Sequence, residues 1–292
     1  MNEAAHSTGM SCFFASDLHG DTERYRTLFS RIAVERPRAV FLGGDLLPMA
    51  FSETGAEFTD FIHEFIAAEL EALRDSLGDD YPSVFTILGN DDLRIEETSA
   101  REAEGRGLWE YVHDVRSRLD GYSVYGYANV PPSPFLLKDW ERYDVSRFVD
   151  PGCVSPEEGR RSVPCDPREI RHTTIQQELE ILTDDDDLTS AIFLFHSPPY
   201  RTKLDRAGLD GVRVDHVPMD VNVGSIAVRR FIEERQPLIT LHGHVHESAA
   251  LTGSWRDQIG RTHMFSAAHD GPELALVRFD PGAPEAATRE LI

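Results

Sequence analysis

The sequence predicts an α/β fold in which strands alternate with helices, and three observations support this prediction. Short apolar runs typical of buried strands recur along the 292 residues. Between them lie longer stretches whose apolar residues repeat at helical spacing. Five of the apolar runs end in Asp, Asn or His. Because the carboxyl ends of parallel strands share one edge of a sheet, we expect these polar residues to lie together there.

The first predicted strand, residues 13–15, leads directly into Asp17 and His19. Since alternate side chains of an extended chain lie on one face, this carboxylate and this imidazole point the same way from the strand end. A helix is predicted over residues 22–35, and Pro37 ends it. Asp-x-His is a common pattern, so this strand end indicates a metal site only if other ligands join it.

The next two predicted strands also end in polar residues. A strand at residues 39–42 precedes two glycines and Asp45, and a strand at residues 84–88 precedes a glycine, Asn90 and Asp91. Glycine lets the backbone turn sharply at each of these ends. Three strands in succession therefore present a carboxylate or an amide at the same edge of the predicted sheet.

Helices are predicted over residues 54–77 and over residues 95–119, the second with a break at two glycines. A strand follows at residues 123–127. From about residue 130 to residue 171 prolines interrupt any regular pattern, which indicates an insertion or a long loop over the surface. We interpret residues 1–292 as a single domain with this Pro-rich insertion at about 130–171.

The last third of the chain resumes the alternation. A strand at residues 191–195 ends in His196, and a strand at residues 238–241 leads into His244 and His246. The alternating pattern of the C-terminal strands is typical of a second sheet. The remaining predicted elements are helices at 173–182 and 225–234 and strands at 261–265 and 274–279.

Composition and charge exclude several classes of protein. A net charge of −22 opposes binding to a long nucleic acid or to an anionic membrane, because both require a basic surface. No apolar run approaches the roughly 20 residues that span a bilayer, and the N-terminus has no pattern of a secretory signal. Three cysteines are too few for a disulfide framework. We therefore expect a cytoplasmic protein, and whether it forms a homo-oligomer stays open.

The polar strand ends together form a complete set of metal ligands. Their donors are nitrogen and oxygen, without a thiolate, which suits Mn²⁺, Fe, Zn²⁺ or Mg²⁺. Seven side chains suit two ions about 3.5–4 Å apart that share one carboxylate. A single-iron oxygenase needs only two histidines and one carboxylate, so the surplus disfavours that class. The seven candidate ligands are Asp17, His19, Asp45, Asn90, His196, His244 and His246.

In this order the residues resemble the signature of the calcineurin-like metallophosphoesterase family. The resemblance implies a two-sheet β-sandwich flanked by helices, with two divalent metal ions, Mn or Fe favoured, at the strand ends. It implies hydrolysis of a small phosphodiester or phosphomonoester by a hydroxide that bridges the ions. One ion would be held by Asp17, His19 and His246 and the other by Asn90, His196 and His244, with Asp45 bridging them. The motifs that carry the resemblance are Asp17-x-His19, Gly44-Asp45, Gly89-Asn90, His196 and Gly243-His244-x-His246.

One position departs from the family pattern. Many members have a histidine after the Gly-Asn pair, where it protonates the leaving group or steadies the phosphoryl group, but this chain has Asp91. A carboxylate beside two cations has a lowered pKa and is a poor proton donor near neutral pH. We therefore predict that Asp91 orients Asn90 or the attacking water, and that activated esters are preferred. Asp91, Asn90 and His244 are taken as the catalytic residues.

The substrate is expected to be a small phosphate ester. Arg201, Lys203 and His216 follow His196 in the chain and are candidate substrate-binding residues, although charged residues in loops are mostly solvated. The alternative is a catalytically weak scaffold of the same fold that binds metal and serves a protein partner. The complete ligand set argues against the scaffold, whereas Asp91 keeps it open.

Overall fold

The computed structural model describes residues 10–49 and 57–292, which form two stacked β-sheets flanked by helices. The two-sheet β-sandwich implied by the sequence is therefore confirmed. The strands are β1 (Cys12–Ala15), β2 (Ala39–Gly43), β3 (Ser83–Ile87), β4 (Glu110–Tyr111), β5 (Arg116–Leu119), β6 (Tyr122–Tyr127), β7 (Ala191–Phe195), β8 (Arg213–Val214), β9 (Val217–Pro218), β10 (Ile239–His242), β11 (Arg256–Ile259), β12 (Thr262–Ser266), β13 (Ala275–Phe279) and β14 (Thr288–Leu291).

Seven α-helices connect these strands in the described part of the chain. Short 3₁₀ turns occur at Gly78–Asp80, Arg94–Glu96 and Pro284–Ala286, and a π-helical turn at Ile62–Ile66 leads into the second helix. The α-helices are α1 (Thr22–Glu35), α2 (Ala67–Leu77), α3 (Glu97–Gly105), α4 (Pro167–His172), α5 (Ile175–Thr183), α6 (Ile226–Arg235) and α7 (Ser248–Thr252).

Each large sheet has a parallel centre. The first sheet has the order β14-β13-β1-β2-β3-β4, and its strands β1 to β4 run parallel. The second has the order β11-β12-β10-β7-β6-β5, with β12, β10, β7 and β6 parallel. In these two described sheets, β13 pairs antiparallel with β1 and with the edge strand β14, and the edge strands β11 and β5 pair antiparallel with β12 and β6. The five strands that carry the candidate ligands are therefore all internal to their sheets and run parallel to one another within each sheet, although β1 also pairs antiparallel with β13.

The central strands are buried on both faces, which explains why they read as continuous apolar runs. In β7, Ile192 and Leu194 belong to the core shared with β1, β2 and β3. Phe193 and Phe195 point the other way and pack with Phe231 of α6. This alternation fixes the register of β7 and hence the position of the residue that follows it.

Two helix predictions need correction. The helix predicted over residues 95–119 is wrong beyond Gly105, where α3 ends. Gly107 then takes a positive φ of +70°, and the chain turns into β4 and β5 instead of continuing a helix. Of the helix predicted over residues 54–77, residues 54–56 lie outside the described residues. Continuous helix begins only near residue 61, after the Asp60 side chain accepts a hydrogen bond from the His63 N–H (2.9 Å).

The segment 130–171 is largely irregular, but several of its polar side chains are completely buried. The Lys138 ammonium lies 2.5 Å from the Glu141 carboxylate, and both side chains are inaccessible to solvent. Arg142 is also buried and pairs with Glu178 of α5 at 3.3 Å. Because burying a charge without a partner is costly, these pairs fix the segment against the sheets. The expectation of a loop over the surface misses this anchoring.

Among the residues that the structure describes, no helix combines the length and the apolar character that crossing a bilayer requires. The regular α-helix α1 has 14 residues and a polar face, and the continuous helical stretch that ends with α2 carries several charged residues. This agrees with the absence of long apolar runs in the sequence.

Candidate metal centre

The seven candidate ligands meet at the carboxyl ends of five central strands. Asp17 and His19 follow β1, Asp45 follows β2, and Asn90 follows β3. From the second sheet, His196 follows β7, and His244 and His246 follow β10. Because both sheets are parallel at their centres, these ends point the same way and the two sets of side chains face each other.

The Asp and His side chains form two groups that could each hold a metal ion. Ligand atoms of Asp17, His19, Asp45 and His246 all lie within 4.8 Å of one another. Asp45, His196 and His244 form a second group within the same limit. Asp45 belongs to both groups, so its two oxygens could serve two neighbouring ions.

The group around His196 is tightly connected. The His196 Nε2 atom lies 2.9 Å from Asn90 Oδ1 and 3.2 Å from Asp45 Oδ2. On the other side of the ring, the Nδ1–H donates to the Gly43 carbonyl (2.8 Å). This backbone contact fixes the tautomer and leaves Nε2 as the atom directed at the centre. His244 packs edge-on to His196, with ring centroids 5.2 Å apart.

The group around His19 is more open. The Nε2 atoms of His19 and His246 lie 3.1 Å apart, and His246 Nε2 is 3.3 Å from Asp17 Oδ1. Asp17 Oδ2 and His19 Nδ1 are buried without a hydrogen-bond partner. Convergent nitrogen and oxygen atoms, one of them an unpartnered carboxylate oxygen, are the donor set that a divalent cation requires. The residues present therefore fit a metal ion.

The backbone at the centre is unusual. Asp17, His19, Asp45 and His244 all have positive φ, from 46° to 74°. For residues other than glycine this conformation costs about 1–3 kcal/mol each and concentrates at functional sites. Four such residues at one place indicate that the fold holds these loops for a purpose other than stability.

Glycines allow the loops to approach the ligands closely. A Cβ atom on Gly89 would lie 2.3 Å from Asp45 Oδ1, and one on Gly243 would lie 2.6 Å from Asp17 Oδ2. Both distances are shorter than any real contact of a Cβ atom. The Gly-Asn and Gly-His pairs in the sequence are therefore required by packing against the neighbouring carboxylates.

Opposite charges shape the pKa values of these groups. Although burial opposes it, the Asp45 and Asp17 carboxylates raise the pKa of His196 to about 10. Burial and the nearby His196 lower the pKa of His244 to about 4. The histidines hold the pKa values of Asp17 and Asp45 below the usual range in spite of burial. A bound cation would replace the proton on His196, because a ligating imidazole must be neutral.

Asp91 lies beside the centre and contacts both groups. Its Oδ1 atom accepts a hydrogen bond from Asn90 Nδ2 (2.9 Å), and its N–H donates to Asp45 Oδ1 (2.8 Å). Its Oδ2 atom is 3.9 Å from His19 Nδ1. Burial and the Asp45 carboxylate raise the pKa of Asp91. The sequence analysis expected a lowered pKa for Asp91 because of two neighbouring cations. The protein groups around Asp91 do not lower its pKa by themselves, so that lowering would require the bound cations.

Sequence reasoning missed Asp92. This carboxylate is fully buried and accepts hydrogen bonds from the N–H groups of Leu46 (3.1 Å), Leu47 (2.8 Å) and Gly89 (2.8 Å). It thereby ties the loop after β2 to the loop after β3. The signal was a second acidic residue directly after Asp91, but two of its partners, Leu46 and Leu47, lie more than forty positions away in the chain.

The three candidate substrate-binding residues are exposed, and none of them belongs to either ligand group. The Arg201 guanidinium stacks over the Tyr200 ring, 5.1 Å from its centroid. His216 lies in the turn between β8 and β9, and Lys203 sits near Asp257, whose carboxylate accepts the Lys203 N–H. In the described structure none of the three lines the cavity beside His244. Their role in substrate binding stays a prediction.

Comparisons with known proteins agree with this architecture. A family model described as calcineurin-like phosphoesterase matches residues 10–248, so the chain belongs to that family. Members of the family are metal-dependent phosphoesterases and generally use two divalent metal ions. A comparison with curated proteins finds no significant match.

Solved structures show the same fold at low sequence identity. The chain is similar to TT1561 of Thermus thermophilus, with 18% identity, a TM-score of 0.57, and coverage of 97% of this chain and 99% of that one. It is also similar to a dimetal phosphatase from Danio rerio, with 13% identity, a TM-score of 0.50, and coverage of 93% and 92%. At these identities the likeness supports the fold alone.

Proposed function

We propose that this protein hydrolyses small phosphate esters at a centre of two divalent metal ions. The observation that carries the proposal is the shared position of Asp45, which joins two ligand groups into one centre. One ion would be held by Asp17, His19 and His246 and the other by Asn90, His196 and His244, with Asp45 between them. Nitrogen and oxygen donors without a thiolate suit Mn, Fe, Zn or Mg, and of these we propose Mn or Fe as the native metals.

The chain's own residues prepare this centre for hydrolysis. When bound, two such ions lower the pKa of a coordinated water to about 7 and neutralise charge on the phosphoryl oxygens. Asp45 is held in place by the Asp91 N–H, and Asn90 is turned toward the centre by the Asp91 carboxylate. His196 is oriented by the Gly43 carbonyl. Preorganisation of this kind leaves little rearrangement for the transition state.

Asp91 is the residue that distinguishes this centre from the common family pattern. We assign it the role of orienting Asn90, supported by the 2.9 Å hydrogen bond between their side chains. Without a histidine at this position, esters with good leaving groups should be turned over fastest, because they need no proton from the protein. His244, half-buried beside His196, completes the ligand set and is the third residue that we regard as catalytic.

The test is a screen of mono-aryl and bis-aryl phosphates with added Mn²⁺, together with measurement of metal content. We expect hydrolysis and about two ions per chain in the wild type, and a loss of at least about a thousandfold in Asp45→Asn. Asp75→Asn is a matched change at an exposed position on α2. It should leave both the rate of hydrolysis and the metal content at the wild-type level. Full metal occupancy without hydrolysis of any ester would instead support the metal-binding scaffold.

We also propose a cytoplasmic location and a single domain. All three cysteines are unpaired, which suits a reducing compartment. The family match spans residues 10–248, on both sides of the Pro-rich insertion, which supports one domain. The net charge of −22 favours a small substrate over a long nucleic acid.

A further inference from the structure

A cavity of about 370 Å³ opens beside the candidate metal centre. Its walls come from the Pro-rich insertion (residues 131–135 and 144–153), from residues 200–226, and from the loop at residues 244–247. His244, a candidate metal ligand, is part of the lining, so the cavity and the centre are adjacent. Its volume is within the range of about 300–1,000 Å³ that small-molecule sites occupy.

The walls of the cavity are mostly apolar, and two phenylalanines remain exposed at it. Phe135 is 61% exposed and Phe148 is 69% exposed, although both are large hydrophobic side chains. Leu209 and Met219 contribute apolar surface from the other side. Aromatic rings left open to solvent in a concave site indicate a surface that an apolar ligand covers.

The charges in the lining have one sign. None of the described residues that line the cavity is a lysine or an arginine, whereas Asp144, Asp150, Asp220 and Glu247 all belong to it. An anionic group placed here would meet these carboxylates without a cation to balance it. The lining therefore discriminates against negatively charged groups beyond the phosphate itself.

Three of these carboxylates also hold the walls in place. Asp220 accepts a hydrogen bond from the Tyr200 hydroxyl (2.5 Å), and Glu247 accepts one from the Gly208 N–H (2.9 Å). Asp144 accepts the Ser225 hydroxyl at 2.6 Å and the first N–H groups of α6. Because hydrogen bonds fix the walls on each side, the cavity is a formed site.

We propose that this cavity binds the alcohol part of the substrate, and that the preferred substrates are phosphate esters with a bulky, apolar alcohol that carries no negative charge. Phe135 and Phe148 would contact that group while the phosphate lies at the metal centre next to His244. The position of the phosphate at the metal centre rests on the proposed hydrolysis, whereas the binding of the apolar alcohol in the cavity does not. Because the lining is acidic, we expect a low kcat/KM for substrates whose alcohol carries a second phosphate or a carboxylate.

A ratio of two substrates tests the apolar contact. The ratio of kcat/KM for naphthyl phosphate to that for phenyl phosphate should exceed one in the wild type. In the double variant Phe135→Ala, Phe148→Ala the ratio should fall about three- to tenfold, because each ring removed exposes apolar surface of the ligand. Differences in intrinsic reactivity cancel when one pair of substrates is compared between variants. Ile181→Ala, at another exposed apolar residue on α5, should leave the ratio unchanged.

A second arm tests the charge. A carboxyphenyl phosphate should be hydrolysed with a kcat/KM about tenfold or more below that of phenyl phosphate, mainly through KM. Asp150→Asn, which removes one of the lining carboxylates, should narrow this difference several-fold. Equal kcat/KM values for the two esters would overturn the proposal, as would an unchanged naphthyl-to-phenyl ratio in the double variant.

Binding of naphthol, the alcohol without its phosphate, separates this proposal from the proposed function. Titration followed by naphthyl fluorescence should show binding to the wild type and to Ile181→Ala, and at least about fivefold weaker binding to the double variant. Failure to hydrolyse any ester would contradict the proposed function. Failure of naphthol to bind, or equal binding to the double variant, would overturn the cavity assignment whether or not esters are hydrolysed.

Discussion

The two halves of the candidate metal centre use similar ligands in different surroundings. In the half around His196, the imidazole is fully buried and its Nδ1–H is fixed by the Gly43 carbonyl. In the half around His19, the His246 side chain is 34% exposed, and His19 Nδ1 has no hydrogen-bond partner. We call these the closed half and the open half. The difference shows that one ligand group is built into the core, whereas the other stays partly open to solvent.

The difference has a physical origin in the fold. The closed half draws on β2, β3 and β7, with His244 from the end of β10, and the loops after β2, β3 and β7 are joined by Asp92 and by the Gly43 carbonyl. The open half combines the ends of β1 and β10, where Asp17 Oδ1 accepts the His244 N–H (2.9 Å) but the His246 side chain stays partly exposed and His19 Nδ1 has no hydrogen-bond partner. Ligands held by hydrogen bonds to the backbone lose little freedom when metal binds, so we expect tighter binding in the closed half.

The largest effects should come from removing one histidine of each half. His196→Ala and His246→Ala should each lower hydrolysis about a thousandfold or more, because each removes a ligand of an ion that the reaction requires. Their effects on folding should differ. With chelator present, His196→Ala should lower the free energy of unfolding by about 2–4 kcal/mol, since it leaves a cavity and an unpaired carbonyl. His246→Ala should change it by less than about 1 kcal/mol.

Chemical denaturation and metal analysis of the two variants check this prediction. We expect each variant to retain about one ion per chain. Equal losses of unfolding free energy would show that the two halves are anchored alike, and the distinction between closed and open would fail.

Asp92→Asn tests whether the buried carboxylate maintains the closed half. An amide nitrogen cannot accept a hydrogen bond, so at least one of the N–H groups of Leu46, Leu47 and Gly89 would lose its acceptor. Metal affinity should fall about 10–100-fold, mainly at the closed half. Asp205→Asn is a matched control, because Asp205 is also buried and accepts three backbone N–H groups away from the centre. Loss of metal affinity in both variants would contradict the assignment.

Asp91 lies between the two halves, and its substitution should have a smaller effect. Asp91→Ala should slow aryl and alkyl phosphates about tenfold, by releasing the Asn90 side chain. Asp91→His would supply a proton donor and should raise the rate on alkyl relative to aryl phosphates by about tenfold or more. Parallel kinetics on the two ester types are the measurement. A loss of several powers of ten on both esters in Asp91→Ala would give the carboxylate a central role in place of an orienting one.

The smallest predicted effect concerns the insertion and its contact with the closed half. The Trp140 indole N–H donates to the Asp92 carbonyl (2.8 Å) from a fully buried position. Trp140→Phe should lower the free energy of unfolding by about 1–3 kcal/mol and weaken metal binding a few-fold at the closed half only. Trp109→Phe is the control, since its indole N–H donates to the Ala100 carbonyl (2.8 Å) on α3, which carries none of the candidate ligands. Calorimetric titration with Mn²⁺ should separate the two variants, and equal affinities would show that the insertion does not support the centre.

The sequence predicted the centre better than it predicted the surrounding structure. Each ligand follows a short apolar run, and both features are local, so they can be read without the fold. The helix predicted over residues 95–119 failed because its polar residues carry little periodic signal and Gly107 redirects the chain. Asp92, the anchors of the insertion and the cavity beside His244 were missed because each depends on contacts between distant segments.

The sequence by itself determined the family, the order of the strands' polar ends and the chemical type of the donors, because strand ends and residue identities are properties of short segments. Only the tertiary structure decided that Asp45 lies in both ligand groups, that one half is buried and the other open, and that an apolar, acidic cavity adjoins His244. Distances between side chains from different strands arise from how two sheets pack and how loops are tied together. Those quantities depend on the whole chain at once, and no short stretch of sequence contains them.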